Sequence, residues 1–317
     1  MPFRVFRSLA EVPPDFGPCA LTIGNFDGVH AGHRVLLQRA AELARAHDWK
    51  PAVLTFDPHP TKVVAPARAP HLLTSIDQRL GLMRDNGIRQ VLVLPFNSDL
   101  AKLTAEEFVS QILVHALQAR AVVVGDKFRF AARQSGDIFK LQALGELHGF
   151  KVEGAGQVGR RGRIVSSTEV RKLLAAGNIP MANRLLERHF ALEGTVVPGH
   201  GVGRAKTVPT LNLSTAAEVL PAQGVYITRT HDLDSAQRRW NSITNIGYRP
   251  TFQGSELTIE TFLLTPFDGV DPKRIRVEFL RRVREERKFD SPEELKAQIM
   301  RDVYLAQRYF RRTRTIY

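Results

Sequence analysis

"CALTIGNFDGVHAGHRVLLQRAAELARAHDWKPAVLTFD" (residues 19–57) decides the fold of the first half of this chain. The apolar run at 19–26 reads as a buried strand. A helical pattern covers 33–48, with Val35, Leu36 and Leu43 at helical spacing, and 50–57 reads as the next strand. Between strand and helix, Gly24 and Gly28 let the backbone turn sharply. The alternation continues with a helix over 76–87, a strand over 91–96, a helix over 104–117 and a strand over 120–126. Thr104 and Glu107 have capping-box spacing, and Gly87 suits a helix end. Strands alternating with helices predict an α/β fold, a parallel sheet with helices on both faces. Ligands of such sheets bind beyond the carboxyl ends of the strands, where "GNFDGVHAGH" falls.

The second half has a different period. Residues 167–190 read as two short helices broken between Gly177 and Pro180. From Ala191, short apolar-alternating runs separated by turn residues predict a small antiparallel β-barrel. The chain then enters a helix over 291–310, with Ser291 as N-cap, Pro292 at the first helical position and Glu294 completing a capping box. The boundary falls near 183–191, giving domains at 1–185 and 186–317.

The chain has 317 residues, 43% of them hydrophobic and 24% charged, and a formal net charge of +13. A basic surface attracts anions of any kind, so charge alone does not choose among nucleic acid, headgroups and nucleotides. No aromatic-and-basic recognition motif appears, and a nucleic-acid role is not expected. The densest basic stretches are 280–288, read as a solvated strand or turn edge, and 308–317, read as a C-terminal tail. Cys19 is the single cysteine, which excludes an internal disulfide and a cysteine-based zinc site. No apolar stretch is long enough to span a membrane, and the N-terminus lacks a secretory signal's apolar core. A cytoplasmic location is expected.

Two clusters offer chemistry. In the first, His30 and His33 open a helix whose free amides and dipole favour an anion, and both imidazoles can donate to phosphate oxygens. In "VSSTEVR" (165–171), the hydroxyls of Ser166, Ser167 and Thr168 precede Arg171 by about one turn and can face a triphosphate; an ordinary N-cap needs only one of them. Arg163 lies close by. His59, between two prolines in "DPHP", reads equally as a binding residue or a rigid turn. In the second cluster, "GTVVPGHGVGRAKTVPTLNL" (194–213) is glycine-rich, so its backbone amides can approach phosphates. Thr210 and Asn212 point to one face of a strand and supply hard oxygen ligands suited to Mg²⁺. A polar-faced hairpin is the plain alternative. On its own, Glu260 in an alternating strand reads more readily as a solvated carboxylate than as a functional one.

The first cluster resembles the HxGH nucleotidyltransferase superfamily. With "TFDPHP" (55–60), "GDKFRFAARQSGD" (125–137) and "VSSTEVR" following in order, it is most similar to the adenylyltransferase module of the bacterial bifunctional riboflavin kinase/FAD synthetase family. The second cluster, with "NIGYRPTF" (245–252) and "REERKFDSPEELKAQIMRD" (284–302), resembles that family's riboflavin kinase module. The resemblance implies a Rossmann-like nucleotidyltransferase domain followed by a small barrel with a terminal helix. It implies riboflavin, FMN, FAD and ATP as ligands, with Mg²⁺. It places Gly24, Phe26, Asp27, Gly28, His30, His33, Ser166, Ser167, Thr168 and Arg171 at the adenylyltransferase's ATP. It places Gly199, Gly201, Gly203, Arg204, Thr210 and Asn212 at the kinase's ATP, the last two also at the metal. Glu260 falls at the family's catalytic glutamate, and His59, Asp126, Phe128, Arg284 and Glu286 are flavin-binding candidates. The chain departs from the family at Lys127 (usually Asp or Asn), Ala131 (Gly), Thr207 and Val208 (Gly-Phe) and Phe262 (often His), and "FDGVDPKRIRV" (267–277) lacks the usual Tyr-Gly. The departures at Lys127, Thr207 and Phe262 motivate one alternative, a flavin-nucleotide-binding relative with one or both activities lost; another HxGH transferase, with the β domain as a binding module, is a second. Oligomeric state is not legible.

Overall fold

The computed structural model describes residues 2–198, 210–235, 238–251, 254–265 and 270–314. Two compact units result, 1–167 and 168–317.

The first unit is built on a six-stranded parallel sheet. Its strands are β1 (Arg4–Phe6), β2 (Cys19–Ile23), β3 (Lys50–Asp57), β4 (Gln90–Pro95), β5 (Ala119–Gly125) and β6 (Lys151–Ala155), in the order β1-β4-β3-β2-β5-β6. The chain adds strands outward from β2 through β3 and β4, then crosses back to place β5 on β2's other side. That reversal opens a crevice at the carboxyl end of β2. Successive residues face opposite ways along a strand. Leu54, Leu92 and Val122 pack with Phe108, Ile112 and Leu141 on one face of the sheet. Val53, Val91 and Val123 pack with Leu37, Ala40 and Met83 on the other.

The helices of this unit are α1 (Ala31–Ala46), α2 (Pro60–Val64), α3 (Ile76–Asp85), α4 (Ala105–Glu107) and α5 (Ile138–His148). The buried stripe of α1 is Leu36, Leu37, Ala40 and Ala44; Val35 is exposed, so the expected stripe shifts by one position. Strand β2 stops at Ile23, three residues short of the apolar run, because the chain already turns there. The Thr104–Glu107 capping box forms with both of its bonds, at 3.1 and 2.8 Å. The expected helix then widens into a π-helix over Phe108–Ala116, closed by Leu117 N–H donating to the Ile112 carbonyl. Its buried residues, Phe108, Val109, Ile112 and Leu113, recur four and five apart, which a wider turn aligns on one face. Strands β1 and β6 and helix α5 were not among the expected elements. Burial raises the Cys19 thiol to about 12, against the opposing effect of Lys50. A short hairpin, β7 (Gly159–Arg160) and β8 (Arg163–Ile164), precedes the unit's end.

The second unit opens with α6 (Ser167–Ala175, whose first residue belongs to the first unit) and α7 (Ile179–Leu186). It continues as a closed antiparallel barrel of β9 (Phe190–Val197), β10 (Thr210–Ser214), β11 (Gly224–Asp232), β12 (Arg239–Thr251), β13 (Gly254–Leu263) and β14 (Arg274–Arg284). Helix α7 packs on β14 and β9. Inside the barrel, Thr230, Ser242, Thr228, Thr244 and Thr261 form a chain of hydroxyl–hydroxyl bonds of 2.8–3.0 Å. All five are fully buried, so each hydroxyl needs such a partner. The outer face carries Val225, Ile227, Ile243 and Leu280, covered by Ala306 and Phe310 of α8 (Pro292–Arg314). Ser291 caps α8 by accepting from Glu294 N–H at 3.2 Å. The expected tail at 308–317 is helical through Arg314: no Gly or Pro interrupts it, and Phe310 anchors it to the barrel.

Candidate functional sites

The turn after β2 is held from several sides. Asp27 is 3% exposed, and its Oδ1 accepts from Leu73 N–H at 2.9 Å and Thr74 N–H at 3.2 Å. Thr74 Oγ1 accepts from Gly28 N–H at 3.0 Å. Gly28 has φ of +80°, and a Cβ there would lie 2.7 Å from Leu73 Cδ1, so both backbone and space require glycine. Phe26 and Val29 also take positive φ, 50° and 37°. Such strain at two non-glycine residues persists only where the surroundings over-determine it.

This turn delivers His30 to the N-cap of α1, where Nδ1 accepts from His33 N–H at 3.3 Å. An accepting Nδ1 places the ring proton on Nε2. The His30 and His33 rings stack at 3.6 Å with 13° between planes, and Phe26 meets His33 edge-on at 5.2 Å. Phe26 is 1% exposed, so it supports the histidine pair as packing. Ser167 Oγ donates to the Asp27 carbonyl at 2.9 Å, joining the start of "VSSTEVR" to the turn. Ser166 precedes it; Thr168 and Arg171 lie in the first turns of α6, within the second compact unit.

Arg79 of α3 was not among the expected site residues. It is 1% exposed, and its Nη1 donates to the Asn25 carbonyl at 2.9 Å. Only its burial in three dimensions separates it from the chain's many other arginines. Arg79→Met leaves that carbonyl short of a donor and is expected to cost about 1–3 kcal/mol of stability. The check is the urea midpoint of unfolding; an unchanged midpoint refutes the assignment.

Beside the turn lies a cleft of about 690 Å³ at the carboxyl ends of β2 to β5. Gly24, Asn25, Lys127, Arg129 and Arg133 line its polar part, and Phe56, Phe96, Leu100, Phe108 and Phe128 its apolar part. Phe128 stacks on Phe130 at 5.5 Å. Lys127 faces this cleft. The Asp126 carboxylate instead lies near Gly154 and Gly156 of β6 and the loop after it, and is not part of the lining. His59 is 8% exposed and also outside the lining. Its Nδ1 accepts from Thr61 N–H, capping α2, and its Nε2 lies 3.1 Å from Asn25 Nδ2. An apolar slot with cations at one side suits a flat ring bearing phosphate.

In the second unit, Glu260 of β13 stands opposite Asn212 of β10 and, on its other side, Asn245 of β12. Directly opposed residues share a face, so the three form one row on the barrel's outer surface. Thr210, two residues from Asn212, shares that face and pairs with Phe262. A hydroxyl, an amide oxygen and a carboxylate along two neighbouring strands are hard donors that fit Mg²⁺ shared with phosphates. Glu260, Asn245 and Phe262 line a pocket of about 290 Å³ walled by α8 and residues 284–289. Asn245, Phe262, Phe289 and Asp302 were not among the expected site residues; "NIGYRPTF" was the signal for the first.

Arg284 and Glu286 reach the same pocket. Arg284 donates to Asp302 Oδ2 at 2.9 Å and sits 5.6 Å over Phe289. A Cβ on Gly247 would lie 1.9 Å from Glu286 Oε1, so the missing side chain is what seats that carboxylate. Gly247→Ala is expected to displace Glu286 and to cost about 1–3 kcal/mol of stability through that overlap. The urea midpoint of unfolding checks it; an unchanged midpoint refutes the seating of Glu286. Gly199, Gly201, Gly203, Arg204, Thr207 and Val208 lie outside the described residues.

Residues 12–169 match the family model for FAD synthetase, and residues 186–310 the model for riboflavin kinase. The bifunctional riboflavin kinase/FMN adenylyltransferase of Escherichia coli is 37% identical, covering 97% of both chains. That of Pseudomonas fluorescens is also 37% identical, covering 96% of this chain and 97% of its own. A solved structure described as a macrolide-efflux protein from Streptococcus pneumoniae has a TM-score of 0.84 at 25% identity, covering 97% of this chain and 99% of that one. That likeness carries the fold. Among the described residues no helix is long and apolar enough to cross a membrane. The histidine turn on a parallel sheet, the glutamate row on a closed barrel and the two family matches in the same order agree: the chain belongs to the bifunctional riboflavin kinase/FMN adenylyltransferase family.

Proposed function

We infer that this chain makes both flavin cofactors from riboflavin. It transfers the γ-phosphoryl group of ATP to riboflavin, giving FMN and ADP, then the adenylyl group of a second ATP to FMN, giving FAD and pyrophosphate. The observation that carries the reading is that one chain holds a stacked histidine pair capping α1 and, separately, Glu260 flanked by two asparagines at a pocket.

In the kinase unit, placed at 186–317, Glu260 accepts the proton of the ribityl 5′-hydroxyl as its oxygen attacks the γ-phosphorus and ADP leaves. Thr210 and Asn212 would hold Mg²⁺, which would supply charge neutralisation for the transferring phosphoryl group. Arg284 and Glu286 orient the flavin. In the adenylyltransferase unit, placed at 1–185, a phosphate oxygen of FMN attacks the α-phosphorus of ATP and pyrophosphate leaves. His30 Nε2–H, His33 and the first amides of α1 donate to the charge that develops. Ser166, Ser167, Thr168 and Arg171 hold the remaining phosphates. Phe128 supports the isoalloxazine ring and Lys127 meets the FMN phosphate, a role its ammonium fills where a carboxylate would repel. His59 and Asp126 act through the shape of the cleft. The working compartment is the cytoplasm, and nucleic acid and membrane are not partners.

The test is incubation of the full chain with riboflavin, ATP and Mg²⁺, with flavins resolved by chromatography. FMN followed by FAD is expected. FMN alone sinks the role given to Lys127; bound but unaltered riboflavin sinks the catalytic reading and favours a flavin-binding relative.

A further inference from the structure

The two densest basic stretches of the sequence meet in the fold. Arg281 and Arg282 of β14 and Arg308 and Arg312 of α8 line one groove of about 470 Å³. Arg308 and Arg312 stand one helical turn apart, on a common face. Ile227, Leu305 and Tyr309 supply an apolar and aromatic surface in the same groove. Among the described residues no carboxylate lines it, and Arg281, Arg308 and Arg312 have no ion-pair partner. Arg282 has one, Glu285 at 3.5 Å, whose side chain is 84% exposed. The Arg282 Nε is buried without a hydrogen-bond partner, while its Nη2 donates to the Gln223 carbonyl. The groove shares no lining residue with the pocket that holds Glu260.

Four guanidinium groups gathered with a single exposed counter-charge, Glu285 on Arg282, repel one another, and a bound anion offsets that repulsion. Guanidinium forks match phosphate oxygens in pairs and also stack on flat rings. The volume lies within the range of small-molecule sites, about 300–1,000 Å³. We propose that this groove is a second, non-catalytic site for a nucleotide: arginines on the phosphates, Tyr309 and its apolar neighbours against the ring. Adenine and flavin nucleotides share this chemistry, and the concave shape suits one nucleotide better than an extended strand.

The experiment is hydrogen–deuterium exchange of the full chain with ADP, FAD or a single-stranded oligonucleotide as probe, followed in peptides spanning 304–314 and 257–263. Local opening in 304–314 is expected to slow about tenfold at ligand near ten times Kd, with either ADP or FAD. The stronger of the two names the source. R308E/R312E is expected to abolish that protection while 257–263 stays protected, and R308Q/R312Q, with parental helix content by circular dichroism, to do the same. Protection of 304–314 that survives both variants overturns the proposal, because it then spreads from the catalytic pocket. Protection by the oligonucleotide alone, or by no probe, also overturns it. FMN formation by R308E/R312E is expected at the parental rate, which keeps this test separate from the kinase assignment.

Discussion

Replacing both His30 and His33 with asparagine is expected to lower FAD formation from FMN and ATP by about 10²–10⁴-fold. FMN formation from riboflavin is expected to persist in the same preparation. Asparagine is the informative choice because His30 has two roles. It caps α1 through Nδ1, and its stacked ring presents Nε2. An alanine removes both and costs about 1 kcal/mol of helix capping. Asparagine keeps a side-chain acceptor for His33 N–H and removes the imidazole donors. A loss of FAD synthesis with a parental unfolding midpoint then isolates the chemical role. FAD made at the parental rate refutes the assignment of the histidine pair.

Glu260→Gln is expected to give the reverse pattern. Glutamine keeps the shape and the place in the row between Asn212 and Asn245 but cannot take the hydroxyl proton. FMN formation is expected to fall by about 10²–10⁴-fold, while FAD formation from supplied FMN is unchanged. The KM for riboflavin is expected to stay near parental, since the pocket's walls at Arg284, Phe289 and Ile299 are untouched. A fall in both activities together points to a folding defect, which a thermal melt reads directly. Parental FMN formation excludes Glu260 as the base.

Other assignments came less directly from sequence. Asp27 sits inside the motif, yet its Oδ1 faces Leu73 and Thr74 across the turn. Asp126 and Lys127 are neighbours, and the strand end puts Lys127 in the cleft while Asp126 lies against β6. Val35 reads with Leu36 and Leu43 at helical spacing and is exposed, because the buried stripe of α1 is set by the close approach of Ala40 and Ala44 to the sheet. Strand β1, three residues long, was silent because so short an edge strand has almost no period to read.

The sequence by itself determined the alternation that makes the parallel sheet, the change of period that makes the barrel, and the local devices: Gly28 at positive φ, the Thr104 and Ser291 caps, and His30 before α1. These are legible because backbone sterics and capping act within a few residues. Only the tertiary structure decided what distant residues do together. It set Glu260 between Asn212 and Asn245, put Glu286 in the space left by Gly247, buried Arg79 under Asn25, and folded two arginine stretches into one groove. Those arrangements depend on strand register and helix docking, which bring together side chains that no local spacing relates.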